Sequence, residues 1–219
     1  MTQFKQPFFT TLFTISSHNP YIIPEKHKSK FPKGTTKIHE SIAYSDFALK
    51  RFFETASKQE WYKNTLFVVV ADHTSAEPTE AKFKTNVGKF RIPILFFDPS
   101  NPELAGKNMK NLQQIDVMPS VLDYLNIDTK MISYGKSYQS EKDFVVYYLD
   151  NIYHYISGDF YLAFDGKKSL GLYNFKNDEL LKTNLIKTEK AKAIEMEGFI
   201  KAYIQSFNER LIGNKLTIQ

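Results

Sequence analysis

Apolar residues along this chain fall into three textures. Residues 66–71 form an unbroken apolar run, with Phe67 and three consecutive valines, that stops at Asp72 and His73. Residues 91–98 repeat the texture, and residues 7–15 are rich in β-branched and aromatic side chains. Such runs predict strands buried on both faces of a parallel sheet. Between residues 36 and 57 the texture changes: Ile38, Ile42, Phe47, Leu49, Phe52, Phe53 and Ala56 recur at helical spacing, and Thr35 or Thr36 precedes His39-Glu40 as a predicted N-cap. A helix between two such strands predicts a βαβ unit with parallel strands and a right-handed crossover. After Gly135 come short runs at residues 144–149, 153–157, 160–164 and 169–173, broken by Gly158-Asp159 and Asp165-Gly166. That is hairpin punctuation, with Asp-Gly suited to a type I′ turn. A short helix capped by Asp116, with Pro119 in its first turn, and an amphipathic helix near residues 188–211 complete the pattern.

The strand ends draw attention to chemistry. Ligands of open α/β sheets collect beyond the carboxyl ends of the strands. Asp72 and His73 could there supply an oxygen and a nitrogen to a divalent metal, or could simply open a polar turn. His18 follows the first predicted strand in Ser16-Ser17-His18-Asn19-Pro20 and could bind an anionic substrate or move protons near neutral pH. The alternative is a loop histidine. The βαβ arrangement would bring His18 and Asp72-His73 to one sheet edge. His39 reads as a surface residue, and His154 as packing among tyrosines.

Composition narrows the classes. The chain has 219 residues, 42% hydrophobic and 24% charged, with 19 Phe and 13 Tyr. No apolar run reaches the roughly 18 residues of a membrane span, so the chain as given reads as soluble. A net charge of +5 favours an anionic substrate or surface. The lysines are scattered without an arginine-rich or aromatic-interleaved stripe, which argues against nucleic acid. There is no cysteine, which excludes disulfides and thiolate chemistry.

The ordered motifs resemble the carboxyl-terminal part of the sulfatase domain of lipoteichoic acid synthases and related phosphoglycerol transferases, in the alkaline phosphatase superfamily. The resemblance rests on residues 13–21 around Ser17-His18-Asn19-Pro20, Tyr44-Ser45-Asp46-Phe47 with Phe52-Phe53, and Trp61-Tyr62 leading to Ala71-Asp72-His73-Thr74. It continues through Ile92-Pro93-Ile94, Gln114-Ile115-Asp116-Val117-Met118-Pro119, Tyr134-Gly135-Lys136-Ser137, and Leu172-Tyr173-Asn174 with Asn184-Leu185. It implies an incomplete α/β fold: a mainly parallel sheet flanked by helices, with a small antiparallel sheet and a carboxyl-terminal helix. Residues 1–140 would be the second half of the catalytic domain, and residues 141–219 the sheet and helix packed on it.

The same resemblance implies that Asp72 and His73 are metal ligands and that His18 contacts the substrate phosphate. It implies one or two divalent ions, manganese first, with magnesium, zinc or calcium as alternatives. The substrate would be a phosphate or sulfate ester, lipid-linked, at a membrane reached through an amino-terminal portion. Thr74 stands where the family commonly has glycine. The nucleophile and a further acidic ligand lie upstream in the family; Thr10 and Thr11 fall inside the first predicted strand. The chain alone is therefore expected to be inactive. A sulfatase or phosphodiesterase, and a non-catalytic anion-binding domain, are the competing readings.

Overall fold

The computed structural model describes residues 4–76 and 78–218. Its contacts divide the chain into two compact units: residues 1–69 with 95–106, and residues 70–94 with 107–219.

The first unit is built on α1 (Lys37–Ala56). Thr36 is the N-cap by backbone conformation, yet its hydroxyl bonds to nothing, and the turn is closed by His39 Nδ1 accepting from Thr35 N at 3.0 Å. One end of α1 presents Phe52 and Phe53 to an aromatic cluster with Trp61, Tyr62, Phe67 and Phe97. Phe67 belongs to β1 (Phe67–Val70) and Phe97 to β2 (Ile94–Phe97), which pair in a two-stranded sheet. Edge-to-face aromatic pairs of this kind add about 0.5–1.5 kcal/mol each beyond burial.

Residues 7–15 correct an expectation. They form no strand among the described residues, and Phe9, Leu12, Phe13 and Ile15 are 70–89% exposed. The expected βαβ unit is therefore not formed here. β-Branched and aromatic residues make a strand only where an edge accepts their backbone groups, and propensity alone does not supply that edge. Thr10 and Thr11, expected inside that strand, are exposed.

The second unit holds an antiparallel sheet in sequence order: β3 (Phe144–Leu149), β4 (Ile152–Ser157), β5 (Phe160–Phe164) and β6 (Ser169–Asn174). The first turn, Asp150-Asn151, has both residues at positive φ, as a type I′ turn requires. Asp165-Gly166 is instead part of a longer loop in which Asp165 Oδ1 accepts from Lys167 N and Lys168 N. One face of the sheet packs Tyr155, Leu162, Phe164 and Leu172 against Ala193, Met196 and Ile200 of a helix, α3 (Lys190–Ile212). Ile194 and Leu211 of α3 point to solvent. The other face buries Ile156, Tyr161 and Ala163. Among the described residues no helix is long and apolar enough to cross a membrane.

Candidate functional site

Asp72 and His73 leave the end of β1 as an exposed corner in the second unit. Asp72 Oδ1 accepts from His73 N at 2.9 Å, and Asp72 Oδ2 lies 3.6 Å from His73 Nε2. His73 Nδ1 lies 2.7 Å from the carbonyl of Thr74, so Nδ1 carries the proton and Nε2 keeps its lone pair. A carboxylate oxygen and an imidazole nitrogen 3.6 Å apart lie within the reach of one divalent ion, since two donors about 2.1 Å from a metal are at most about 4.2 Å apart. The donor set fits a metal in chemistry and spacing. It is not a complete cage: no group of three or more acidic, histidine or cysteine side chains converges among the described residues.

Three contacts hold this corner. Ala71 N donates to Pro93 O. Thr74 uses its hydroxyl to reach Lys89 O at 2.6 Å. The carboxamide of Gln114 donates to the carbonyls of both Ala71 and Asp72, at 2.9 and 2.7 Å. One donor group thus spans the two peptide units from which Asp72 departs.

Gln114 is placed by a buried ion pair. It opens a 3₁₀ turn (Gln114–Asp116) that runs into α2 (Val117–Tyr124). Asp116 was expected to cap α2; its carboxylate turns away from that helix. Oδ1 accepts from Lys136 N at 2.8 Å, while Oδ2 accepts from Gln113 N at 2.9 Å and from Lys136 Nζ at 2.8 Å. Lys136 Nζ completes its shell with the carbonyls of Asn111 and Phe144. Both side chains are essentially buried, and every donor of the ammonium has an acceptor, the condition under which a buried charge is tolerated. Gly135 allows the approach: a Cβ there would lie 2.2 Å from Ile115 O.

His18 belongs to the first unit. It is exposed, and its Nδ1 lies 2.8 Å from Asn19 O. Ser17 Oγ is 2.9 Å from Ser45 Oγ on α1, and Ser45 in turn donates to Ser41 O. His154 is a packing residue, as expected. Its Nδ1 is 2.7 Å from Tyr161 Oη, its ring stacks on Tyr147, and burial pulls its pKa below 6.5, against the opposing pull of the Leu149 carbonyl.

Sequence reasoning missed Gln114 and the Asp116–Lys136 pair as supports of the corner. Nothing in periodicity signals an amide that reaches carbonyls more than forty residues away.

A family model described as sulfatase matches residues 1–127. The chain belongs to the sulfatase family. It is 28% identical over 198 residues to lipoteichoic acid synthase 1 of Bacillus subtilis (strain 168), covering 82% of this chain and 30% of that protein. It is 27% identical over 207 residues to lipoteichoic acid synthase of Staphylococcus aureus (strain USA300), covering 86% and 30%. The chain thus spans about a third of the length of these relatives. Among solved structures, a Vibrio parahaemolyticus protein of the alkaline phosphatase superfamily superposes with TM-score 0.77 at 23% identity, covering all of this chain and 52% of that one. Ps i-CgsB in complex with a neocarrahexaose superposes with TM-score 0.64 at 16% identity, covering 89% and 52%. The fold is that of the alkaline phosphatase superfamily.

Proposed function

We propose that this sulfatase-family chain forms part of a metal-dependent, phosphoglycerol transferase-like enzyme acting on phosphodiesters of a glycerophospholipid or a cell-envelope polymer. The observation that carries the reading is the Asp72-His73 corner: two metal-type donors 3.6 Å apart, just past the end of β1. Two lipoteichoic acid synthases among the relatives favour transfer over hydrolysis of a sulfate ester.

Asp72 and His73 would hold a divalent ion, manganese by preference, and such an ion would supply Lewis acidity toward a phosphate oxygen. His73 would bind it through Nε2, because Nδ1 donates to Thr74 O. His18 contacts the substrate phosphate. Its Nδ1 is engaged by Asn19 O at 2.8 Å, which leaves Nε2 as the ring atom that would face the phosphate. No residue of this chain is assigned as the nucleophile, and the chain is inactive alone. Residues 1–140 supply the catalytic part, and residues 141–219 the sheet and helix. The substrate is lipid-linked, and the enzyme works on the outer side of the cell membrane.

The test uses the longest natural polypeptide that contains this chain, assayed for phosphoglycerol release from phosphatidylglycerol with manganese. Asp72→Asn and His73→Ala should each lower turnover at least about a hundredfold, beyond the roughly 10–100-fold that loss of a group merely supporting a metal ligand costs. Activity unaffected by either substitution, or by chelation, would end the proposal.

A further inference from the structure

Residues 25–37 carry five lysines, Lys26, Lys28, Lys30, Lys33 and Lys37, against one acid, Glu25. That one segment accounts for +4 of the chain's formal +5, so the other 206 residues are nearly neutral. Glu25 pairs with Lys28. Among the described residues, Lys26, Lys30, Lys33 and Lys37 have no ion-pair partner, and all five lysines are exposed.

The segment is also anchored. Ile23 is 6% exposed, and His27 turns inward among Phe31, Tyr44 and Phe47, with ring centroids at 6.4, 5.4 and 5.4 Å. Gly34 at φ +61° allows the chain to pass close over His39. The inward aromatic residues leave the lysines between them facing water. Five lysines within residues 26–37 concentrate positive charge on one short stretch of the chain. Burial and the charges of Lys26, Lys30 and Arg51 all hold the pKa of His27 down, which agrees with a positive field at that surface. The segment rests on Tyr44 of α1, and the neighbouring Ser45 holds Ser17, next to His18.

We propose that residues 26–37 are a docking surface for a phosphate-bearing polyanionic chain, which they retain beside the His18 corner; the link to His18 rests on the transferase reading above. A polymer fits better than a membrane. Segments that lie in a bilayer interface carry Trp, Phe or Leu on the outward face. Between Pro24 and Lys37 none of the large apolar residues is exposed; Ile22 is the nearest that is.

The experiment is a fluorescence-anisotropy titration of the full chain with labelled sodium polyphosphate, in chelator and over a range of salt. Chelation keeps the result independent of any metal chemistry or turnover. Lys26→Gln/Lys30→Gln/Lys33→Gln/Lys37→Gln should weaken binding at least about tenfold. It should also flatten the slope of log K against log salt by about 3, at about 0.7 per neutralised charge. A control with four exposed lysines changed elsewhere, Lys58→Gln/Lys107→Gln/Lys130→Gln/Lys142→Gln, removes the same charge and should lose markedly less. Equal losses in the two variants, or none in the first, would overturn the docking surface and leave the transferase reading standing. Lysine-dependent binding to vesicles of phosphatidylglycerol and phosphatidylcholine, with no binding of polyphosphate, would overturn it in favour of a membrane contact.

Discussion

Replacing Asp116 by asparagine tests whether the buried ion pair organises the segment that carries Gln114. The wild-type carboxylate accepts from three donors, two backbone amides and the Lys136 ammonium. An asparagine can offer one acceptor atom. Whichever way its amide turns, its NH₂ meets a backbone N–H, and Lys136 keeps two carbonyls but no counter-charge. Removing one partner of a buried pair costs about 3–5 kcal/mol. The two remaining carbonyls place the expected loss near the lower end, about 3 kcal/mol. For a domain stable by about 5–15 kcal/mol this is a large fraction. Urea unfolding followed by near-ultraviolet circular dichroism reads it directly, because β3–β6 carry Tyr147, Tyr148, Tyr153, Tyr155, Tyr161 and Tyr173. The double variant Asp116→Asn/Lys136→Met should recover at least about 1 kcal/mol, since the stranded charge has gone. A loss under about 1 kcal/mol in the single variant, or strictly additive losses in the double, would refute the argument.

Further outcomes follow from burial and exposure. His154 and His27 both have folded pKa values held below 6.5, so the unfolded chain takes up protons first as pH falls. Stability is therefore full above about 6.5 and declines below it, and urea midpoints measured from pH 8 to 5 should show that fall. At the other extreme, burial raises the Tyr161 and Tyr203 hydroxyls to about 12. The unfolded tyrosines ionise from about 10, so stability should drop between pH 10 and 12, with a midpoint insensitive to pH over that range as the contrary result. The exposed side chains of Phe9, Leu12, Phe13 and Ile15 predict self-association, which Phe9→Ser/Phe13→Ser should reduce in sedimentation velocity; identical profiles for wild type and variant would exclude that surface.

The sequence made the second half of the chain the more legible. The β3–β6 strands fall within a residue or so of the expected runs, because each strand is bounded by its own turn residues and pairs with its neighbour. The β1 and α1 elements were legible for the same local reason. Residues 7–15 were not, since an apolar run states what could be buried and leaves unstated which edge will bury it. The Asp72-His73 corner could be found from its place at the end of an apolar run. Its supports could not: Gln114 and Lys136 act through contacts set by the three-dimensional path, and Asp116 looked like an ordinary cap because it stands at the start of α2. The type I′ turn was sought at Asp165-Gly166 and occurs at Asp150-Asn151, where two asparagine-type side chains tolerate the left-handed conformation without glycine.

The loop after the Asp72-His73 corner is fastened to the distant sheet by phenol groups. Tyr147 Oη donates to Asn86 O at 2.5 Å, and Asn86 Nδ2 donates to Tyr161 Oη at 3.2 Å. In genetic terms this makes the codons for Tyr147 and Tyr161 indispensable to residues encoded far upstream of them. A nonsense codon between positions 136 and 147 would leave Asp72, His73, Gln114 and Asp116 translated, yet take away both tyrosines that moor the loop. Suppressors of a lesion in residues 74–90 should accordingly be sought in the codons for β3 and β5 as well as in its immediate neighbours.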